Sequence, residues 1–288
     1  MNLKKLKQLT RAAVAFAAFL TVGSAAHAAE QQPYAFNVLN QRSIALTSQY
    51  WNPILIHVSK KSGVPLELRL ARTTKEANAL AEQGAYHFLY SNHFFTPERD
   101  RLGFRVIARP AGPGIRGQIV VPADSAIKTL AELNGKEVAF ASPDAFAAYW
   151  LPMDALLKSK VNVKSVFTAN QEAGLAQLKL GTVAAAGVND QIIQRYARRE
   201  GFEYRLLWNS ELYNDLCIMA SSKVPPEKVA AVRDALIGMM HDPEGRKVIE
   251  SGAELLKIKD NLGFIAATDR EYDNYRAFYK KTLVKAAN

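Results

Sequence analysis

Strand-like and helix-like patterns alternate through most of this chain, and few architectures accommodate such a rhythm. Tyr34–Leu39 reads as a strand, and Ser43 to Ser62 as a helix stopped by Gly63 with Pro65 just beyond. Leu66–Leu70 reads as a strand, Thr74 to Gln83 as a helix, and His87–Tyr90 and Phe104–Ala108 as two further strands. After the turn-rich stretch from Pro110 to Gly114 the alternation resumes. Gln118–Val121, Lys136–Ala141, Val163–Thr168, Val183–Val188, Tyr204–Trp208 and Leu216–Met219 are predicted strands. Ile127–Leu133, Ala145–Lys158, Glu172–Leu180 and Asp190–Arg199 are the intervening predicted helices. A helical tail follows: Pro226–His241, Glu244–Ser251 and Arg270–Val284. Repeated strand–helix units imply mainly parallel sheets covered on both faces. Two such blocks, joined near residues 110–118 and again near 210–222, imply an α/β protein of two lobes with two crossover segments. Ligands in such sheets bind outside the carboxyl ends of the strands, so the expected site is a cleft between the lobes.

The first 28 residues stand outside this pattern. Lys4, Lys5, Lys7 and Arg11 form a basic start, Ala12 to Val22 an uncharged apolar run, and Ala26, His27 and Ala28 a small-x-small cleavage site. That is the anatomy of a secretory signal peptide. The run is shorter than the ~20 residues a transmembrane helix needs, and the cleavage site carries no cysteine for a lipid anchor. Export with cleavage after Ala28 and a soluble periplasmic product are therefore expected. The formal charge is +10. Four of the 37 Lys and Arg lie in the leader, leaving 33 against 27 acidic residues, a net +6. These charges are scattered and not interleaved with aromatics, which argues against a nucleic-acid partner. Cys217 is the single cysteine and lies in an apolar run, so a buried thiol is expected and no internal disulfide can form.

Catalytic signatures are missing: there is no Gly-x-Ser-x-Gly, Gly-rich phosphate loop, His-Glu-x-x-His or Cys-x-x-Cys. No enzyme activity, cofactor or metal is expected. His87 and His93 flank one strand end without a matching cysteine or carboxylate, and read as polar residues of a cleft mouth rather than a metal pair. Tyr90, Ser91, Asn92 and His93 place phenol, hydroxyl, amide and imidazole at a strand's carboxyl end, a setting suited to a ligand. Asn189 with Asp190, and Asn214 with Asp215, fall at a strand end and at the second crossover; each pair could equally cap a helix or a turn.

The segment from Gly117 to Phe140, with Asp124, Ser125, Ile127, Leu130, Leu133, Gly135 and Lys136 in order, resembles the phosphate/phosphite/phosphonate family of periplasmic binding proteins. Trp51 and Pro53 with Gly63, Ala79 and Leu80 through Gly84 to Tyr90–Asn92, Asp242–Arg246, and Phe264–Arg276 resemble other family segments in the same order. The resemblance covers nearly all of the exported chain. It implies the two-lobed type II periplasmic binding fold, with residues 29–115 plus 217–288 as one lobe and 116–216 as the other. It also implies a monomer that captures a small, phosphonate-like solute for the permease of an ABC importer. The alternative is a ligand-sensing partner of a membrane receptor or sensor kinase.

Residue by residue, the resemblance implies ligand contacts at Tyr90, Ser91, Asn92, Phe95, Phe146, Gln171, Asn189, Asp190 and Asp215. It also exposes departures. Where the family offers a Ser-Thr-Ser-Gly cluster at a helix N-terminus, this chain has Ala145, Phe146, Ala147 and Ala148. The matching position of an anion-contacting histidine is Gln171. Each lost charge-assisted contact costs ~1.5–3 kcal/mol. Weak binding of simple phosphonates is therefore expected, and a less charged or more apolar solute in their place.

Overall fold

The computed structural model describes residues 32–39, 42–257 and 263–285. The leader expected over residues 1–28 lies outside them. In chain order the first elements are β1 (Tyr34–Val38), α1 (Ile44–Ser62), β2 (Leu66–Leu68), α2 (Thr74–Glu82), β3 (Phe88–Ser91), α3 (Pro97–Asp100) and β4 (Phe104–Pro110). Then follow β5 (Gly117–Pro122), β6 (Glu137–Phe140), α4 (Leu151–Lys158), β7 (Lys164–Phe167), α5 (Gln171–Lys179), β8 (Ala185–Asn189), α6 (Asp190–Glu200) and β9 (Tyr204–Asn209). The chain ends with β10 (Cys217–Ser221), α7 (Pro226–Gly238), α8 (Pro243–Leu256), β11 (Phe264–Ala266) and α9 (Asp273–Lys281).

Helix ends sit where the side chains supply capping groups. The Ser43 hydroxyl accepts from the Leu46 N–H at the start of α1, and Gly63 closes that helix in the left-handed region at φ 68°. Thr73 caps α2 by accepting from the Glu76 N–H, while the Glu76 carboxylate accepts from the Arg72 N–H. Asn170 and Asn189 cap α5 and α6 in the same way.

The strands form two sheets, ordered β11-β4-β10-β3-β1-β2 and β7-β6-β8-β5-β9. β2, β1 and β3 run parallel, as do β7, β6 and β8. The sheets are mixed rather than mainly parallel, which corrects the sequence expectation. β10 lies antiparallel between β3 and β4, and β5 antiparallel between β8 and β9. Each is the strand by which the chain enters a sheet from a crossover, so it arrives at the end where the parallel strands finish.

Both faces of each sheet are covered. Phe36, Ile54, Val58, Phe88 and Ile218 pack in one core with helices α1 and α7. In the smaller sheet Ile119 and Val121 point to one core and Val120 to another, the period of two expected for a strand. The remaining cluster does not stop at one half. It runs from Leu89, Phe95 and Tyr272 across to Phe146 and Leu151.

Three local readings differ from the sequence expectation. Ile127–Leu133 is irregular except for a 3-10 turn over Ala131–Leu133. The Arg205 guanidinium takes the carbonyls of Ala123, Ser125 and Ile127, and the Glu132 carboxylate takes the N–H groups of Lys128 and Thr129, so side chains satisfy the backbone of this loop. The helix from residue 145 begins as a π-helical turn over Phe146–Trp150 before α4. Its tight seating explains the wider turn: the Ala147 and Ala148 carbonyls lie against Gly117 and Gly187, where a Cβ would come within 2.5 and 2.6 Å. α3 and β11 are too short for their patterns to register in the sequence.

Candidate functional site

The two sheets are joined by crossovers that hydrogen-bond to one another. The Ile115 N–H donates to the Tyr213 carbonyl at 2.7 Å, and the Tyr213 N–H to the Ile115 carbonyl at 2.9 Å. Gly114 is required beside them because a Cβ there would collide with the Tyr213 carbonyl. The carboxyl ends of β3 and β8 meet the starts of β10 and β5, since Ser91 pairs with Cys217 and Asn189 with Gly117. This places Ser91–His93, Asn189–Asp190 and Asp215 at the strand ends beside the crossovers, where α/β sheets take their ligands.

The nine candidate residues fall into three groups. Gln171, Asn189 and Asp190 form the first. The Gln171 Oε1 accepts from the Asn189 N–H at 2.7 Å, the Asn189 Oδ1 accepts from the Gln191 N–H, and the Asp190 Oδ1 accepts from the Arg116 N–H at 3.0 Å. Asn189 is therefore a helix cap, while Asp190 also fastens α6 to the crossover.

Tyr90, Ser91 and Asp215 form the second group. Ser91 is buried; its hydroxyl accepts from the His93 N–H and its carbonyl from the Cys217 thiol at 3.2 Å. Tyr90 packs on Trp51 with ring centroids 4.8 Å apart, in a narrow hollow shared with Val38, Arg42, Thr47 and Leu256. Burial pushes the Asp215 carboxyl above the ordinary range. The Leu216 N–H opposes that shift, the Asp190 carboxylate adds to it, and Arg195 counters it. Burial also raises the Tyr90 phenol, with the Asp215 charge the next cause.

Asn92, Phe95 and Phe146 form the third group, and all three converge on Tyr275. The Asn92 amide donates to the Tyr275 hydroxyl at 3.3 Å, which in turn donates to the Asn214 carbonyl at 2.6 Å. Phe95 stacks on Tyr272 at 5.1 Å with an interplanar angle of 13°. Phe146, 3% exposed, stacks on Tyr275 at 4.2 Å and meets Tyr213, Phe278 and Tyr279 edge-on or tilted. Phe95 and Phe146 thus lie inside an aromatic core that spans both halves.

Sequence reasoning missed Tyr213, Tyr272, Tyr275 and Tyr279. The spacing of Tyr272, Tyr275 and Tyr279 along one helix face was the available signal. The Tyr272 hydroxyl donates to the Asp215 carbonyl at 3.1 Å, so this tyrosine row holds the second crossover from behind. α9 is fixed to the larger sheet's half through Arg276, which pairs with Asp100 at 2.9 Å and Asp269 at 3.1 Å.

The region holds titratable groups of both signs. His93 is 7% exposed and its Nδ1 has no hydrogen-bond partner. Burial lowers its pKa to about 4 against the pull of Asp144 and with Arg99 assisting, so the imidazole is neutral near pH 7. Arg99 is engaged with Glu82 at 2.9 Å. The carboxylates of Asp144, Asp190 and Asp215 share this region with the guanidinium groups of Arg42, Arg116 and Arg195. Cys217 is fully buried and burial raises its thiol, in keeping with a structural role. His87 accepts from the Ala35 N–H at 3.0 Å and is likewise structural. Away from the crossovers, His57, Asp242 and Glu244 have ligand atoms within 4.8 Å of one another, the spacing of a metal set. Lys60 and Lys61 already neutralise the two carboxylates, which lowers the affinity of that cluster for a cation.

Among the described residues no helix is long and apolar enough to cross a membrane. No curated protein sequence matches the chain. Solved structures share its fold. A binding protein component of an ABC phosphonate transporter from Pseudomonas aeruginosa aligns with TM-score 0.66 at 17% identity, covering 85% of each chain. A Xanthomonas citri protein determined with chloride bound aligns with TM-score 0.71 at 14% identity, covering 86% of this chain and 97% of its own. PhnD1 from Prochlorococcus marinus, in complex with methylphosphonate, gives 0.68 at 14% identity with the same coverage. These likenesses establish the two-lobed fold. Residues 36–272 match the family described as the periplasmic substrate-binding protein of the phosphonate ABC transporter, more than three-quarters of the sequence. The chain belongs to that family of solute-binding proteins, which are not enzymes and serve a membrane permease.

Proposed function

We propose that this chain binds a small solute with a cationic or neutral polar end and an apolar body, in place of a simple phosphonate dianion, and delivers it to an ABC importer. One observation carries the reading: the helix start that the resemblance aligns with the family's hydroxyl cluster carries Phe146, whose ring packs on Tyr275 at 4.2 Å, and offers no side-chain hydroxyl. Seating a dianion there requires desolvating it without hydroxyl partners. The half-buried Asp215 carboxyl, raised by desolvation and further by Asp190 against the pull of Arg195, would gain from a cationic group on the ligand.

In this reading Tyr90, Ser91, Asn92, Asn189 and Asp215 line the cleft, and Phe146 with Phe95 closes it from the side of α9. The lobes comprise residues 29–115 with 217–288, and 116–216, and the exported chain begins after Ala28 as a monomer without a lipid anchor. Calorimetry of the exported chain with methylphosphonate, aminoethylphosphonate and phosphite tests the solute class. The expected Kd for each is above ~100 μM, about −5.5 kcal/mol. Submicromolar affinity for methylphosphonate or phosphite, which carry no cationic end, would overturn the reading.

A further inference from the structure

Behind the aromatic plug lies a second cavity of about 620 Å³, unconnected with any of the nine candidate residues. Its volume lies in the range of small-molecule sites. One wall is α4, contributing Leu151 and Lys158; the second is the end of β9 and the crossover, with Trp208 and Tyr213; the third is α9, with Phe278 and Lys281. Tyr213 and Phe278 form the partition from the cleft, since the same two rings meet Phe146 at 4.9 and 5.3 Å. The Asn274 amide donates to the Leu212 carbonyl, fixing α9 to the crossover and holding the walls in place.

The lining has a definite chemistry. Trp208 and Phe278 are only partly buried and offer aromatic surface to the cavity. Four charged groups border it. Lys158 pairs with Asp154 at 2.6 Å, and that carboxylate also accepts from the Thr282 hydroxyl and the Leu283 N–H at 2.8 Å. Glu211 accepts from the Tyr213 hydroxyl at 2.7 Å. Neither Glu211 nor Lys281 forms an ion pair among the described residues; the Glu211 carboxylate is engaged by the Tyr213 hydroxyl, which leaves the Lys281 ammonium as the cation open to a ligand beside the aromatic faces. We propose that this cavity is a second ligand site, distinct from the interlobe cleft, for a planar aryl carboxylate whose ring lies against Trp208 and Phe278 and whose carboxylate pairs with Lys281.

The probe is indole-3-acetate, followed by saturation-transfer NMR on the exported chain, with the uncharged indole-3-acetamide as comparison. Saturable binding of the acid is expected, with the amide weaker by about tenfold because it forfeits the charge-assisted contact. Lys281→Glu should weaken the acid by at least about tenfold and leave the amide unchanged. Ala277→Trp, at an exposed position of α9 that borders the cavity, should abolish both without moving the melting temperature. Absence of saturable binding up to about 5 mM would overturn the proposal, as would acid binding unaffected by both variants. Should Ala277→Trp fail to fold, the Lys281→Glu comparison decides alone.

Discussion

Phe146→Ala is the most exposing perturbation of this molecule, because the ring belongs to one half and its main partners to the other. Phe146 precedes α4, while Tyr275, Phe278 and Tyr279 lie on α9, which Arg276 ties to the half containing α3. Truncating a buried Phe costs ~3–5 kcal/mol in transfer and cavity terms. Little of this can be recovered by collapse, since the neighbouring Ala147 and Ala148 are already seated against Gly117 and Gly187. The loss therefore falls on the docking of the halves. If the docked arrangement is favoured by less than this amount, the variant opens, and small-angle scattering of the exported chain should show a larger radius of gyration. If it is favoured by more, the halves stay together and the melting temperature drops by ~6–20 °C, at ~2–4 °C per kcal/mol for a chain this long. Phe146→Leu, which keeps most of the volume, should give the same effect at less than half the size. An unchanged radius together with an unchanged melting temperature in Phe146→Ala would refute the idea that this ring joins the halves.

His93 is held neutral by burial, so the unfolded chain binds more protons than the folded one between about pH 4 and 6.5. Its contribution is fully present above 6.5 and lost as pH falls through about 4, and denaturant titrations should show His93→Gln flattening that decline. Gly187→Ala brings a Cβ within 2.6 Å of the Ala148 carbonyl and the Phe140 ring, and should destabilise by ~1–3 kcal/mol in urea unfolding. Asp215→Asn removes a desolvated carboxylate facing Asp190; it should raise the melting temperature by a few degrees while lowering affinity for any amine-bearing solute in calorimetry. Replacing Ala145 with Ser, Phe146 with Thr and Ala147 with Ser restores the hydroxyls at the helix N-terminus, and should strengthen methylphosphonate binding by about tenfold or more.

The rhythm of strands and helices was legible because each unit carries its own local signals. Gly63 reads as a helix stop and Asn189 as a candidate cap, and both hold those places in the structure. Strand direction was not legible. Nothing local to Leu216–Met219 or Gln118–Val121 reports that β10 and β5 run against their neighbours, because direction is set by where the crossover delivers the chain. The irregular stretch at 127–133 was hidden for a similar reason: its start is anchored by Arg205, more than seventy residues away, through the Ile127 carbonyl. At the candidate site, the polar groups at strand ends could be placed from topology alone. The tyrosine row could not, because Tyr275 acquires its role only when Asn92, Asn214 and Phe146 arrive from three other segments.

That convergence gives the alanine-rich helix start a physical meaning beyond the loss of hydroxyls. Small residues at 145, 147 and 148 let the π-helical turn press its carbonyls onto Gly117 and Gly187. The pressed turn aims Phe146 at Tyr275. A Ser-Thr-Ser-Gly cluster at the same place would present donors to a bound anion and leave the tyrosine face to be covered by solute. Here the chain covers that face itself. Burying a Phe side chain supplies ~1.5–3 kcal/mol, and an aromatic pair ~0.5–1.5 kcal/mol beyond it. A solute for this protein must bind without displacing the ring, or recover that amount from its own contacts. The groups near the crossovers include the amide of Asn92, the phenol of Tyr90 and the carboxylates of Asp190 and Asp215, with Arg42 beside Tyr90 and Arg195 near Asp215. On the proposed reading, a solute that donates to those carboxylates recovers that amount.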